Sequence, residues 1–287
     1  MLIKLFKHEM RATAKTFMWL YIAFAAIAVV SAVLAPWSPL GIGSGFYSPG
    51  GISNMTDTIP PALQMIMFIL YILAVAAMSI VTIVVIILRF YRNLLGDEGY
   101  LMMTLPVSRE ANILSKLLAA VIWFISTMVI IFLSVLLFIA VSGYFSEMVE
   151  AVREQLALIG APMGRWIVMF VLSVIVSSAS GILMLYAAMA IGPNLLKNRL
   201  GGSVLAFIII YIASQFITTF IMIAWGSTYT NSFFTANQAN QANDFGMPVI
   251  ISVVDTAFAS SIVTYAIIGV CCWFLTRYML VKKLNLA

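Results

Sequence analysis

The sequence predicts an all-α, polytopic membrane fold. It has six transmembrane helices, a basic amphipathic interfacial helix at the N-terminus and a short helix in one connecting loop. Three observations carry this prediction. First, the chain is 63% apolar and 9% charged, where soluble domains average about 25% charged residues. Second, apolar runs recur at 17–35, 62–88, 117–141, 166–191, 203–226 and 249–276. Each is near or above the roughly 20 residues that cross a bilayer as a helix. Third, the basic residues fall almost entirely on one side of those runs.

Helices are the expected spanning element because backbone groups in lipid must be satisfied within the segment. Residues 1–287 form a single membrane domain. The formal charge of +5 fits the concentration of Lys and Arg in cytoplasmic loops and does not indicate nucleic-acid binding. Cys271 and Cys272 are adjacent inside an apolar run. That spacing gives no disulfide framework, and they read as small apolar side chains.

The first run, 17–35, is longer than the roughly 7–15 apolar residues of a signal peptide. Pro36 after Val33-Leu34-Ala35 would also obstruct cleavage. It reads as an uncleaved span. Before it, Lys4, Lys7, His8, Arg11 and Lys15 share one helical face, and Leu2, Ile3, Phe6, Met10 and Phe17 share the other. That is the pattern of a helix lying in the membrane interface in contact with lipid.

Orientation follows from the charges. One side holds Lys4, Lys7, Arg11, Lys15, Arg89, Arg92, Arg109, Lys116, Lys197, Arg199, Arg277, Lys282 and Lys283; the other holds Arg153 and Arg165. The basic-rich side is expected in the cytoplasm. Both termini and the 89–116 loop then lie inside, as six spans require.

On the other side, 36–61 is rich in Gly, Pro and Ser. Its Gly41, Gly43 and Gly45 are followed by no Lys-Ser or Lys-Thr, so they make no phosphate loop. Residues 144–160 alternate an apolar stripe (Phe145, Met148, Val149, Val152, Leu156, Ile159) with Glu147, Glu150 and Glu154. They predict an amphipathic helix on the outer surface. Residues 227–247, with the repeat Ala236-Asn237-Gln238-Ala239-Asn240-Gln241-Ala242-Asn243, read as a solvated loop with room for short helices. Asp255 stands within an apolar run. It either lines a pathway or caps a short helix and bonds locally to Ser252 or Thr256.

The 89–116 loop is dense in signals. Asp97 suits an N-cap and Glu98 the positive end of a helix dipole. Residues 98–105 give two turns that Pro106 stops. Ser108 then caps a helix running through Lys116 into the third span. Tyr100, Leu101, Met102, Met103 and Leu105 leave more apolar surface than a free loop would carry. Such surface marks a contact site, and Met suits an adaptable one.

Glu98-Gly99-Tyr100-Leu101-Met102-Met103-Thr104-Leu105-Pro106-Val107-Ser108-Arg109, followed by Ile113-Leu114 and Lys116-Leu117, resembles the first cytoplasmic loop of ABC-2 type transporter permeases. That family pairs a Glu-Gly-Thr-Leu-Glu-like helix start with Pro-Val/Ile-Ser-Arg and a Lys entering the third span. Tyr100 stands where Thr is common in the family, and Met102 where an acid is common. The basic N-terminal helix, the six spans and the long outer segment before the last span match it in architecture.

The resemblance implies the membrane subunit of a bacterial exporter in the cell membrane. Asp97, Glu98, Gly99, Tyr100, Leu101, Met102, Met103, Thr104 and Leu105 would form a coupling helix docked on a separate ATPase subunit. ATP and Mg would bind that partner, because this chain carries no Walker A sequence and binds no cofactor of its own. A second permease subunit, identical or different, would complete the pathway. The cargo would be hydrophobic or amphipathic: a peptide, drug or lipid. An ion-coupled secondary transporter, which would rest on Asp255, and a non-transporting accessory subunit are the alternatives. A membrane enzyme is disfavoured by a single histidine and by the lack of paired carboxylates in the spans.

Overall fold

The computed structural model describes residues 2–34, 61–92, 109–141, 145–159, 163–196, 199–239 and 247–282. They form seven helices: α1 (Leu2–Leu34), α2 (Pro61–Phe90), α3 (Arg109–Val141), α4 (Phe145–Ile159), α5 (Met163–Leu195), α6 (Arg199–Ala239) and α7 (Met247–Lys282). All but α4 contain a stretch long and apolar enough to cross a membrane. These six coincide with the six apolar runs. The fold is all-helical, with the architecture of a multi-pass membrane protein.

Two boundaries differ from the sequence reading. Residues 2–16 and the first span are one helix, α1, of 33 residues. No Gly or Pro lies between Leu2 and Leu34, so nothing in the backbone chemistry forces a break. At 1.5 Å per residue α1 is about 50 Å long, well beyond a hydrocarbon core of about 30 Å. Lys4, Lys7, Arg11 and Lys15 are all exposed along its first turns. Second, α6 runs on through Ala239, into the segment expected to be a solvated loop. Residues 227–239 contain no Pro and no Gly, and an Asn/Gln bias lowers helix propensity only slightly. As expected, α3 begins at Arg109 and runs through Lys116 into the third span without interruption. The amphipathic segment 144–160 is also helical as expected, as α4. The Gly-rich segment 36–60 lies outside the described residues.

The chain divides into two compact units. One comprises residues 3–86 and 122–158. Its core is Phe24, Ala28, Ala32, Tyr71, Met78 and Phe138, drawn from α1, α2 and α3. Spans have few hydrophobic reasons to associate in lipid, so packing and interhelical hydrogen bonds hold them together. Both are present. Tyr71 packs against Phe138 with centroids 4.4 Å apart, and its hydroxyl bonds Ser134 at 2.8 Å. Towards the N-terminal end of α1, Trp123 stacks on Phe17 at 4.5 Å, and its indole N–H donates to Thr13 at 2.8 Å. Tyr21 and Thr82 both hydrogen-bond Thr127, at 3.1 and 3.2 Å.

The other unit comprises residues 1–2, 87–121 and 159–287. Here α5 is central. It pairs with α7 in parallel: Arg165 meets Asp255, Phe170 meets Phe258 and Asn194 meets Met279. It pairs with α6 as a tight antiparallel hairpin. Gly192 and Gly202 make that hairpin possible. A Cβ on Gly202 would collide with the Gly192 carbonyl, and one on Gly192 would collide with Ser203. The backbones can approach this closely only because both residues lack side chains.

Candidate functional site at the base of the loop

The loop residues expected to meet a partner, 97–105, lie outside the described residues. What the structure describes is how the two ends of that loop are held. Both ends enter the second unit, against α5 and α7.

Phe90 is the last residue of α2. Its ring stacks on Tyr186 of α5 with centroids 3.9 Å apart and planes 15° from parallel. Phe90 and Tyr186 are among the most completely buried side chains of the protein. An aromatic stack contributes about 0.5–1.5 kcal/mol beyond the area that it buries.

The other end is α3. Asn112, Ile113, Ser115, Lys116, Leu117, Ala119, Ala120 and Val121 are buried. Over these turns nearly the whole circumference of the helix is covered, which a lipid-facing span would not require. The Tyr186 hydroxyl donates a long hydrogen bond, 3.4 Å, to the Lys116 carbonyl. Tyr186 thus touches both ends of the loop. Around it, Ile182, Leu183, Met184, Ala187, Ala188, Met189 and Ala190 make this stretch of α5 the most continuously buried among the described residues. Its three alanines let neighbours approach closely.

One turn nearer the loop, Glu110 forms an ion pair with Arg277 of α7 at 2.7 Å. Both side chains are about half exposed, so the pair holds position more than it contributes stability. Phe90, Glu110, Lys116 and Arg277 therefore gather at one end of this unit. Arg165 lies at the opposite end of α5, consistent with the two-sided distribution of charge in the sequence.

Comparison with protein-family models, with curated proteins and with solved structures gives no match. The geometry therefore carries the functional reading.

Asp255 makes contacts that the sequence did not foresee. Its carboxylate is bound by two residues at the start of α5. Arg165 forms an ion pair with one oxygen, and the Trp166 indole N–H donates to the other at 2.8 Å. It is a cross-helix fastening between α5 and α7. Sequence reading placed Arg165 and Asp255 in separate segments and had no means of pairing them across 90 positions.

Three other features were not foreseen. Glu9 is only 5% exposed, although it lies within the basic amphipathic stretch. Lys116, read as a cytoplasmic marker charge, is 4% exposed. Tyr186 was indistinguishable from the other aromatic residues of the spans. A charge at helical spacing from a buried stripe was the only signal for the first two: Glu9 lies four residues before Thr13 and eight before Phe17, on the buried face of α1.

Among the described residues, no group of three or more His, Cys, Asp or Glu is arranged to hold a metal ion. Cys272 is buried and Cys271 exposed, and both are free thiols.

Proposed function

We propose that this chain is the membrane-spanning permease subunit of an ATP-driven exporter, driven through the α2–α3 loop by a separate cytoplasmic ATPase. The observation that supports this best is the double anchorage of the loop on Tyr186. A loop that only connects two spans needs no buried attachment, and its flanks are ordinarily exposed. Here a displacement of residues 93–108 would be passed to α5 through the Phe90 ring on one side and the first turns of α3 on the other. Energetic coupling travels through packed elements of this kind.

The residues between those anchors, Asp97 to Leu105, are the proposed docking helix. ATP and Mg belong to the partner. The basic end of the second unit faces the cytoplasm in this reading, and both termini lie there. The exposed basic face of Lys4, Lys7, Arg11 and Lys15 meets lipid headgroups at that surface. The membrane is a bacterial plasma membrane, and a second permease subunit completes the pathway for a hydrophobic or amphipathic cargo. Asp255, the residue that would motivate ion coupling, is already engaged by Arg165 and Trp166, which weighs against that alternative.

Co-expression with a soluble ATPase subunit and purification in detergent tests the reading. The ATPase should co-purify, and its hydrolysis should rise on reconstitution with this chain. Tyr100→Ala and Gly99→Pro should abolish that stimulation. If both variants stimulate hydrolysis and support transport like the parent chain, the coupling role is wrong.

A further inference from the structure

Beyond the Arg165–Asp255 pair, α6 and α7 flank a half-open groove of about 400 Å³. Thr218 and Trp225 bound it along α6, and Ala257 and Tyr265 bound it along α7. At 1.5 Å per residue these stretches are about 10 and 12 Å long. Half of a hydrocarbon core of about 30 Å is about 15 Å. The groove therefore runs through most of one leaflet and stops near the middle.

Its position along the helices is fixed by polar markers. Ala257 lies two residues past Asp255, which binds Arg165 and Trp166. Charged groups and Trp gather at the membrane–water boundary. The slot begins at that boundary and descends from it.

Its wall is apolar in effect, although several lining residues carry hydroxyls. Thr218 donates to the Ser214 carbonyl at 2.9 Å, Ser260 to Ala257 at 3.0 Å, Ser261 to Phe258 at 2.8 Å and Thr264 to Ser260 at 2.7 Å. These four hydroxyl protons are used within their own helices, which leaves the Trp225 indole N–H and the Tyr265 hydroxyl as the polar groups on an otherwise apolar wall. Among the described residues, none that lines it is charged. The concavity arises because Ala257, Ser260 and Ser261 are small where neighbouring positions carry Phe, Trp and Tyr. Binding pockets usually have volumes of about 300–1,000 Å³, so this one, near the lower bound, has room for one chain rather than two.

The geometry points to a binding site for one acyl chain of a bilayer phospholipid, drawn from the leaflet on the Arg165–Asp255 side, with its headgroup level with that pair. The site requires the chain to span a membrane. It does not require an ATPase, so its test is independent of the transport reading.

The test uses the full chain in nanodiscs of phosphatidylglycerol and phosphatidylethanolamine. A trace of phospholipid bearing a diazirine at mid-tail is added, and labelled peptides are located by mass spectrometry after irradiation. Labelling should concentrate on 218–225 and 257–265 over the exposed lipid-facing residues Ile208, Ile209 and Val168. Filling the slot with Ser261→Phe, or separately with Ala257→Leu, should cut labelling of those segments about tenfold and leave Ile208 and Ile209 unchanged. Uniform labelling of the unsubstituted chain would overturn the site by itself, whatever the variants do. Labelling of the slot by a single-chain diazirine fatty acid but not by the phospholipid would also overturn it, in favour of a chain belonging to a cargo.

Discussion

Tyr186 stacks on Phe90 at 3.9 Å between centroids and donates its hydroxyl to the Lys116 carbonyl, so one side chain of α5 holds both ends of the α2–α3 loop. The two contacts differ in strength. The ring is fully packed, whereas the hydrogen bond is 3.4 Å long.

Removal of the ring should therefore matter far more than removal of the hydroxyl. Tyr186→Ala should destabilise the protein by about 3–5 kcal/mol, as other buried aromatic truncations do. Tyr186→Phe should cost about 1 kcal/mol or less. Thermal unfolding in detergent measures both. If the loop is a lever, Tyr186→Phe keeps most ATPase stimulation and Phe90→Ala loses it, even in preparations that remain folded.

The Glu110–Arg277 pair gives a contrasting prediction. It is about half exposed, and exposed ion pairs contribute about 0–1 kcal/mol. Glu110→Gln should move stability by less than about 1 kcal/mol, with the difference shrinking in high salt. The double charge exchange, Glu110→Arg with Arg277→Glu, should restore whatever either single reversal loses. A double exchange no better than the worse single variant would show that the two groups do not act as a pair.

The hairpin of α5 and α6 can be tested with a single methyl group. A Cβ on Gly202 would meet the Gly192 carbonyl, whereas one on Gly181 meets nothing within 4 Å. Gly202→Ala should destabilise by about 1–3 kcal/mol through overpacking. Gly181→Ala should be neutral or stabilise by about 0.5–1 kcal/mol, the ordinary gain for Gly to Ala inside a helix. The two substitutions are chemically identical, so opposite signs in the unfolding midpoint would report the close approach alone.

These predictions also show what could be read from the sequence. The number and placement of the spans follow from hydropathy, because lipid imposes one solution on every apolar run of sufficient length. Helix ends were read less well where a polar composition was taken for a loop, as at 227–239. Hydropathy measures contact with solvent, while helix continuity depends on backbone chemistry, which nothing interrupts before Ala239. The identity of the buried face was not legible. Lys116 and Arg92 are alike in sequence, yet Arg92 is exposed and only tertiary packing buries Lys116. Asp255 was conspicuous by itself, but its partner comes from another helix, and no local pattern specifies a pairing across 90 positions.

That pairing supports a final prediction. Asp255 joins α7 to α5 through Arg165 and Trp166, with its side chain 24% exposed and that of Arg165 48% exposed. Partial exposure limits the value of the pair. Asp255→Asn keeps an acceptor for Trp166 and loses the charge facing Arg165. A double-mutant cycle with Arg165→Gln should give a coupling energy towards the low end of about 0.5–3 kcal/mol. If the pair is only a fastening, transport by Asp255→Asn should fall no further than its stability does, and adding Arg165→Gln should lose little more. If Asp255 lines a pathway, Asp255→Asn should abolish transport in a protein that unfolds at the parent temperature. Arg165→Gln should then leave transport intact. Unfolding midpoints and transport measured on the same reconstituted samples separate the two outcomes.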